Sequence, residues 1–293
     1  VGWSFGWLVL AIPLSYWFMA AVLAPRFTRV KEFTLPAFIG ARYYSQRVRA
    51  LAAVIILVAT VVYIQAQIVA GGLIASTIFG IPTKTGMIGF TVILLAYTAV
   101  GGMLAVVYTD FLQMFIMIAG VVFAIPLAVS HVGGVDALFT HVQEVNPLTF
   151  TWESMPRTLL FTMGMAFLLG SISSPAQLVR LYAMRDMRTI RRGILLAILV
   201  ITSVNLMVFV LSLVAVVMFP ALPTGDLAMP MIAKAVLPPF IGGIMLAAIT
   251  SAMMSTVDSL LIVAGSALSR DIYQTLINPD LGERGRTVVN RIG

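Results

Sequence analysis

The chain has 293 residues, of which 60% are hydrophobic and only 10% charged, and its mean hydropathy is +1.05. Soluble domains carry about 25% charged residues, so this composition excludes a soluble globular class. The absence of cysteine excludes disulfides, cysteine-ligated metals and thiol catalysis.

Seven continuous apolar segments predict transmembrane helices rather than the alternating strands of a barrel. They form a single transmembrane domain, 1–293, with spans at 3–24, 50–79, 86–103, 105–130, 158–180, 193–219 and 238–268. The stretch from Thr85 to Ser130 is too long for one crossing, so we expect it to turn back at Gly101-Gly102. The amphipathic loop 131–157 favours a short helix lying on the surface. Because the chain opens directly in an apolar run and ends without a terminating feature, we expect it to be part of a longer protein.

The basic residues predict the orientation of these spans. Almost all of the 18 lysines and arginines fall on one side, and the other side has only Lys84, Arg157 and Lys234. The positive-inside rule makes the basic side cytoplasmic. We therefore expect residue 1 outside and the C-terminal tail in the cytoplasm, in a plasma membrane (the inner membrane of a bacterium). This distribution explains the net charge of +7 without a nucleic-acid partner.

The last predicted span contains a polar cluster, SAMMSTVDSLL, at residues 251–261. At about 100° per residue, its polar side chains share one helical face and the bulky apolar ones the other. Serine and threonine hydroxyls often bond back to their own helix or join two helices. A carboxylate inside a membrane, here Asp258, instead favours a functional site. The cluster predicts ion or proton binding, with back-bonded hydroxyls as the alternative.

Two further features place polar groups inside predicted spans. Asp110 is a second carboxylate, either functional or a residue that stabilises a helix N-terminus. The stretch LLGSISSPAQLVR, 168–180, predicts a broken helix, which exposes backbone groups to a ligand or merely kinks at proline. No enzyme motif accompanies these groups. An intramembrane protease that pairs Asp110 with Asp258 lacks supporting sequence context.

Four stretches together resemble the sodium:solute symporter family, nearest its pantothenate and proline branches. They are TLPAFIGARY (34–43), YTAVGGMLAVVYTDFLQ (97–113), SPAQLVR (174–180) and LAAITSAMMSTVDSLLIVAGSALSRDIY (246–273). The resemblance implies an all-α polytopic membrane protein with a LeuT-type core of two inverted five-helix repeats. The seven spans would be core helices two to eight, so the chain would be a fragment that lacks helices one, nine and ten.

The resemblance also implies site residues. For a sodium site it implies the carbonyl of Ala252 and the hydroxyls of Ser255 and Thr256. For a second cation site or exit path it implies Asp110, Asp258 and Ser259, although a carboxylate at 258 replaces the serine of other members. For the solute it implies Tyr63, Gln67, Phe167, Ser171 and Pro175.

The function implied is secondary active transport, in which Na⁺ symport imports a small organic solute such as pantothenate, an amino acid or another carboxylate. The expected partners are this solute, Na⁺ and the lipid bilayer, with no other metal and no obligate protein partner. Enzymatic activity is not expected. Two alternatives stay open, a seven-helix receptor or sensor and a carrier coupled to protons.

Overall fold

A computed structural model describes residues 5–26, 34–182 and 186–277, and these ranges are helical with short connections. The α-helices are α1 (Phe5–Phe18), α2 (Leu35–Tyr43), α3 (Gln46–Phe79), α4 (Thr83–His131), α5 (Val135–Val145), α6 (Arg157–Ser173), α7 (Pro175–Tyr182), α8 (Met187–Met218), α9 (Ala228–Ala235) and α10 (Pro239–Ser266). Helix α1 continues as π-helix over Met19–Leu23, and α10 continues as π-helix over Ala267–Ile277.

By length and hydropathy, six helical segments of the described residues can each cross a membrane. They are Val9–Arg26, Gln46–Phe79, Val106–His131, Arg157–Leu178, Met187–Met218 and Pro239–Thr275. Large apolar side chains are exposed along these helices, as in the α3 stripe of Ile55, Val58 and Val62, each about 60% exposed. Apolar surface of this extent suits lipid contact, so the protein is integral to a membrane.

The prediction of a turn at Gly101-Gly102 is wrong, because both residues are helical. One helix, α4, runs without interruption from Thr83 to His131. Glycine costs only about 1 kcal/mol in a helix interior, and no proline lies near this pair to remove a backbone hydrogen bond. The predicted span 86–103 therefore falls in the first part of α4.

Helix α4 is nevertheless bent in the same interval. Thr98 contacts Asp258 of α10, and Gly120 packs against Ala248 of α10. In straight helices the two α4 residues would be about 33 Å apart and the two α10 residues about 15 Å apart. Both contacts exist only because the axis of α4 curves between them. The helical backbone thus passes through Gly101-Gly102 while its direction changes.

Two short helices, α2 and α5, connect to the long ones. Helix α2 begins after Thr34, whose hydroxyl accepts a hydrogen bond from the N–H of Ala37 at 3.2 Å. Threonine at the cap followed by a proline is a helix-start signal that the sequence analysis did not use. The expected helix in 131–157 is confirmed as α5, with its apolar residues Leu138 and Val142 buried in the core of the bundle rather than exposed.

Small residues bring helices α3 and α4 close together. A Cβ added at Gly86 of α4 would lie 2.8 Å from the carbonyl oxygen of Gly72 in α3 and 2.9 Å from Cβ of Ala75. Membrane helices associate through such close packing, since lipid removes the hydrophobic drive that operates in water. Helix α4 in turn packs along α10, which places the polar face of α10 beside α4.

Polar contacts hold both ends of α3. At its N-terminal end, the Arg49 guanidinium donates to Asp271 Oδ1 at 2.7 Å and Thr34 Oγ1 donates to the same oxygen at 3.0 Å. At its C-terminal end, Lys234 Nζ of α9 donates to the carbonyl of Thr77 at 3.1 Å. The first group joins α3 to the end of α10 and the second joins it to the helix just before α10.

Candidate functional site

The residues predicted to bind sodium form a compact set of oxygens on α10. Ser255 Oγ donates to the carbonyl oxygen of Ala252 at 3.1 Å, and Thr256 Oγ1 donates to the same oxygen at 3.0 Å. The hydroxyls therefore bond back to their own helix, the alternative that the sequence left open. That bonding gathers three hard oxygen atoms at one point, the kind of ligand set that suits an alkali or alkaline-earth cation.

Asp258 lies on the same helix and is fully buried. Its Oδ1 accepts a hydrogen bond from Thr98 Oγ1 of α4 at 2.8 Å. A buried carboxylate needs such donors, because an unpaired charge in a low-dielectric interior is costly. Thr98 lies within the stretch 97–113 that carries part of the family resemblance, but nothing in that pattern identified it as a partner of Asp258.

Asp110 is held by an arginine of the broken helix. Arg180 Nη2 lies 2.6 Å from Asp110 Oδ2, and the same nitrogen donates to Ser259 Oγ on α10. Asp110 lies well inside α4 rather than at a helix start. The alternative prediction, that it stabilises a helix N-terminus, is therefore wrong. The other carboxylate oxygen, Oδ1, is buried and has no hydrogen-bond partner among the described residues.

The break predicted in the fifth span is confirmed and explains the position of Arg180. Helix α6 ends at Ser173, the backbone of Ser174 is extended (φ −61°, ψ 115°), and α7 begins at Pro175. Proline at a first helical position is favoured because its missing N–H is not needed there. Helix α7 then packs against α10, which carries Arg180 to Ser259. In the sequence, Arg180 is one of the basic residues that set the topology and also ends the stretch SPAQLVR, but neither feature identified Asp110 or Ser259 as its partners.

The residues predicted to bind solute lie in two separate places. Tyr63 and Gln67 are on α3, while Phe167 and Ser171 are on α6 and Pro175 begins α7. Tyr63 and Phe167 are 50% and 44% exposed. Among the described residues, α3 and α6 do not pack against each other along their lengths. The solute site therefore stays a prediction.

Comparison with known proteins identifies a family and several relatives in sequence. The profile of the sodium:solute symporter family matches residues 1–292. The osmoregulated proline transporter of Bacillus subtilis is 29% identical over 99% of this chain and 61% of its own length. The sodium/pantothenate symporter of Escherichia coli is 29% identical over 95% of this chain and 59% of its own length. The chain thus spans about three fifths of these relatives.

A solved structure supports the fold. The sodium-coupled sialic acid symporter, in its substrate-bound outward-open state, superposes with a TM-score of 0.81 at 19% identity, over 99% of this chain and 68% of that chain. At this identity the likeness concerns architecture. It agrees with the LeuT-type, all-helical core expected from the sequence.

Proposed function

This chain belongs to the sodium:solute symporter family, and from that premise we propose that the protein containing it is a secondary active transporter that imports a small organic solute with Na⁺. The observation that carries the proposal is the convergence of Ser255 and Thr256 on the Ala252 carbonyl oxygen. The named activities of two relatives, proline and sodium-coupled pantothenate transport, support a solute that carries a carboxylate. The chain is a carrier without enzymatic activity and needs no obligate protein partner.

Coupling in such a carrier requires that the ion bind the two transport states with different free energies, since equal affinity shifts no equilibrium. The Ala252 carbonyl and the Ser255 and Thr256 hydroxyls on α10 would bind the coupling ion. The solute would bind at the break between α6 and α7, beside Phe167, Ser171 and Pro175, with Tyr63 and Gln67 on α3 as further candidates. Ion binding then favours the outward-open state and completes the solute site.

The test uses the full-length protein in proteoliposomes with labelled pantothenate and labelled proline. We expect uptake to follow an imposed Na⁺ gradient. Ser255→Ala and Thr256→Ala should each raise the Na⁺ concentration for half-maximal uptake by about tenfold or more, because an interaction with a charged group contributes about 1.5–3 kcal/mol. Uptake driven by a proton gradient without Na⁺, with both variants unchanged, would support the proton-coupled alternative and contradict the sodium proposal.

Thr250→Ala is the matched control. Thr250 Oγ1 bonds back to the carbonyl of Leu246 at 2.9 Å, as Thr256 does to Ala252, but it points about 140° away from Ser255 on the helix. Loss of back-bonding alone would affect both threonine variants equally. Loss of an ion ligand affects only Thr256→Ala.

We also propose that residue 1 lies outside and that the C-terminal tail is cytoplasmic, in a bacterial inner membrane. The 293 residues contain no cysteine, so single cysteines at exposed positions report the topology once any cysteine elsewhere in the protein is replaced by serine. A membrane-impermeant maleimide should label Glu153→Cys in intact cells and Arg188→Cys only after permeabilisation. The reverse pattern would contradict the orientation.

A further inference from the structure

A groove opens on the surface of the bundle between the end of α1 and the start of α8. Its volume is about 240 Å³. Helix α1 and its π-helical continuation line it with Trp17, Ala20 and Ala21, and α8 lines it with Arg191, Ile194, Leu195 and Ile198. Spacings of three and four residues put each set on one face of its helix, so the groove runs between two segments that can span a membrane.

The sizes of the side chains explain the shape of the groove. Trp17 and Leu195 are large and are 58% and 66% exposed, whereas Ala20 and Ala21 are too small to fill the space beside them. Ile194 is buried in the apolar core, so it closes the groove on its inner side. Apolar walls that face a bilayer suit a hydrocarbon chain.

One end of the groove carries a positive charge. Arg191, in the second turn of α8, is exposed and forms no ion pair among the described residues. Its neighbour Arg192 lies within electrostatic range of Asp186, and Arg26 at the end of α1 donates to the carbonyl of Val22. Arg191 therefore both lines the groove and keeps its charge available to a ligand.

The charge and the apolar walls follow one another along α8. Arg191 and Ile198 are seven residues apart, about 10 Å along the helix axis, so the walls extend from the guanidinium into the membrane. In the proposed orientation, the start of α8 is cytoplasmic. Basic pockets between membrane helices on that side bind anionic lipid headgroups, and a guanidinium matches a phosphate with paired hydrogen bonds.

We propose that this groove binds one anionic phospholipid of the cytoplasmic leaflet, with its phosphate on the Arg191 guanidinium and an acyl chain over Ala20 and Ala21. A soluble anion would make no use of the apolar walls, and an uncharged hydrocarbon would make no use of the arginine. A zwitterionic headgroup carries its own ammonium beside the phosphate, so a net negative one is favoured. The site does not depend on which solute or ion the protein carries, and only its leaflet follows from the proposed orientation.

The experiment uses Trp17 as the reporter, because it lines the groove. The full-length protein is reconstituted in phosphatidylcholine vesicles that contain increasing fractions of phosphatidylglycerol or phosphatidylcholine with brominated chains, which quench tryptophan on contact. The difference between each protein and its Trp17→Phe counterpart isolates this side chain. Brominated phosphatidylglycerol should quench Trp17 at about one fifth of the fraction that brominated phosphatidylcholine requires, the effect of one basic residue near an anionic lipid. Arg191→Gln should abolish this preference, and Arg191→Lys should retain it.

Arg192→Gln is the matched control. It removes the same charge one residue further along α8, but its side chain points about 100° away and does not line the groove. The preference should persist in this variant, and an equal loss in both variants would show a general surface potential and overturn the proposal. No quenching of Trp17 by either lipid would show that another part of the protein covers the groove, which would also overturn it.

A second variant tests the acyl chain separately from the headgroup. Ala21 is exposed, so Ala21→Leu fills the groove without disturbing the core. It should raise the fraction of brominated phosphatidylglycerol needed to quench Trp17 by about fourfold, the equivalent of one methylene group left unburied. Glycerol 3-phosphate, which has the phosphate but no chains, should not reverse the quenching in the wild type. Reversal by glycerol 3-phosphate, or an unchanged Ala21→Leu, would contradict a lipid site.

Discussion

Arg49 and Asp271, 222 residues apart in the chain, form an ion pair of 2.7 Å in which the carboxylate is fully buried and the guanidinium is one quarter exposed. The two partners contribute unequally to stability, because only the Asp271 carboxylate is fully removed from solvent. The Asp271 Oδ1 atom also accepts from Thr34, while its Oδ2 has no hydrogen-bond partner among the described residues. The arginine is therefore the main compensation for a buried charge.

This asymmetry predicts different costs for the two single variants. Arg49→Gln leaves a buried carboxylate uncompensated and should destabilise the protein by about 3 kcal/mol, near the lower end of such losses. Asp271→Asn leaves a guanidinium that can turn to water, keeps an acceptor for Thr34, and should cost clearly less. Thermal unfolding of the full-length protein in detergent measures both. An equal or larger loss of stability for Asp271→Asn would contradict the conclusion that Arg49 is the main compensation for the buried charge of Asp271.

The close packing of α3 on α4 predicts opposite outcomes for two glycines three residues apart. Gly86→Ala would push its Cβ against the Gly72 carbonyl and should destabilise the protein by about 1–3 kcal/mol. Gly89→Ala has no neighbour within 4 Å and should be neutral or stabilise by about 0.5–1 kcal/mol through helix propensity. Unfolding midpoints of the two variants test this, and equal midpoints would show that the interface tolerates a methyl group.

A capping aspartate outside the spans predicts a pH dependence. The N–H of Thr189 donates to Asp186 Oδ1 at 2.7 Å at the start of α8, and this hydrogen bond lowers the pKa of Asp186 below its ordinary value of 3.8. A carboxyl with a lower pKa in the folded state stabilises that state above the ordinary pKa. The contribution is lost as the pH falls through the lowered value.

Amide hydrogen exchange in the first turn of α8 measures this effect. At neutral pH, Asp186→Ala should reduce protection there because the acceptor is lost. Asp186→Asn keeps an acceptor without the charge, so the difference between wild type and Asp186→Asn should shrink below pH 3.8. A difference that stays constant down to about pH 2 would show that the charge of Asp186 does not contribute.

Sequence reasoning predicted the long helices well because apolar length is what a bilayer demands. It also located the break before Pro175, because a proline interrupts a helix through its own ring and missing N–H, which the sequence alone reveals. It failed at Gly101-Gly102, because a glycine pair permits a turn without requiring one, and here α4 passes through it as a helix. It also missed Arg180 and Thr98 as partners of Asp110 and Asp258, since those pairings join residues 70 and 160 positions apart.

The contacts at the two ends of α3 constrain how this helix can move against α10. Sliding α3 along its axis would break the Arg49–Asp271 pair and the Lys234–Thr77 contact together. Tilting α3 about one end breaks only the contact at the other. A tilt of α3 that opened the bundle on one face of the membrane would therefore keep the contact on the opposite face as its pivot.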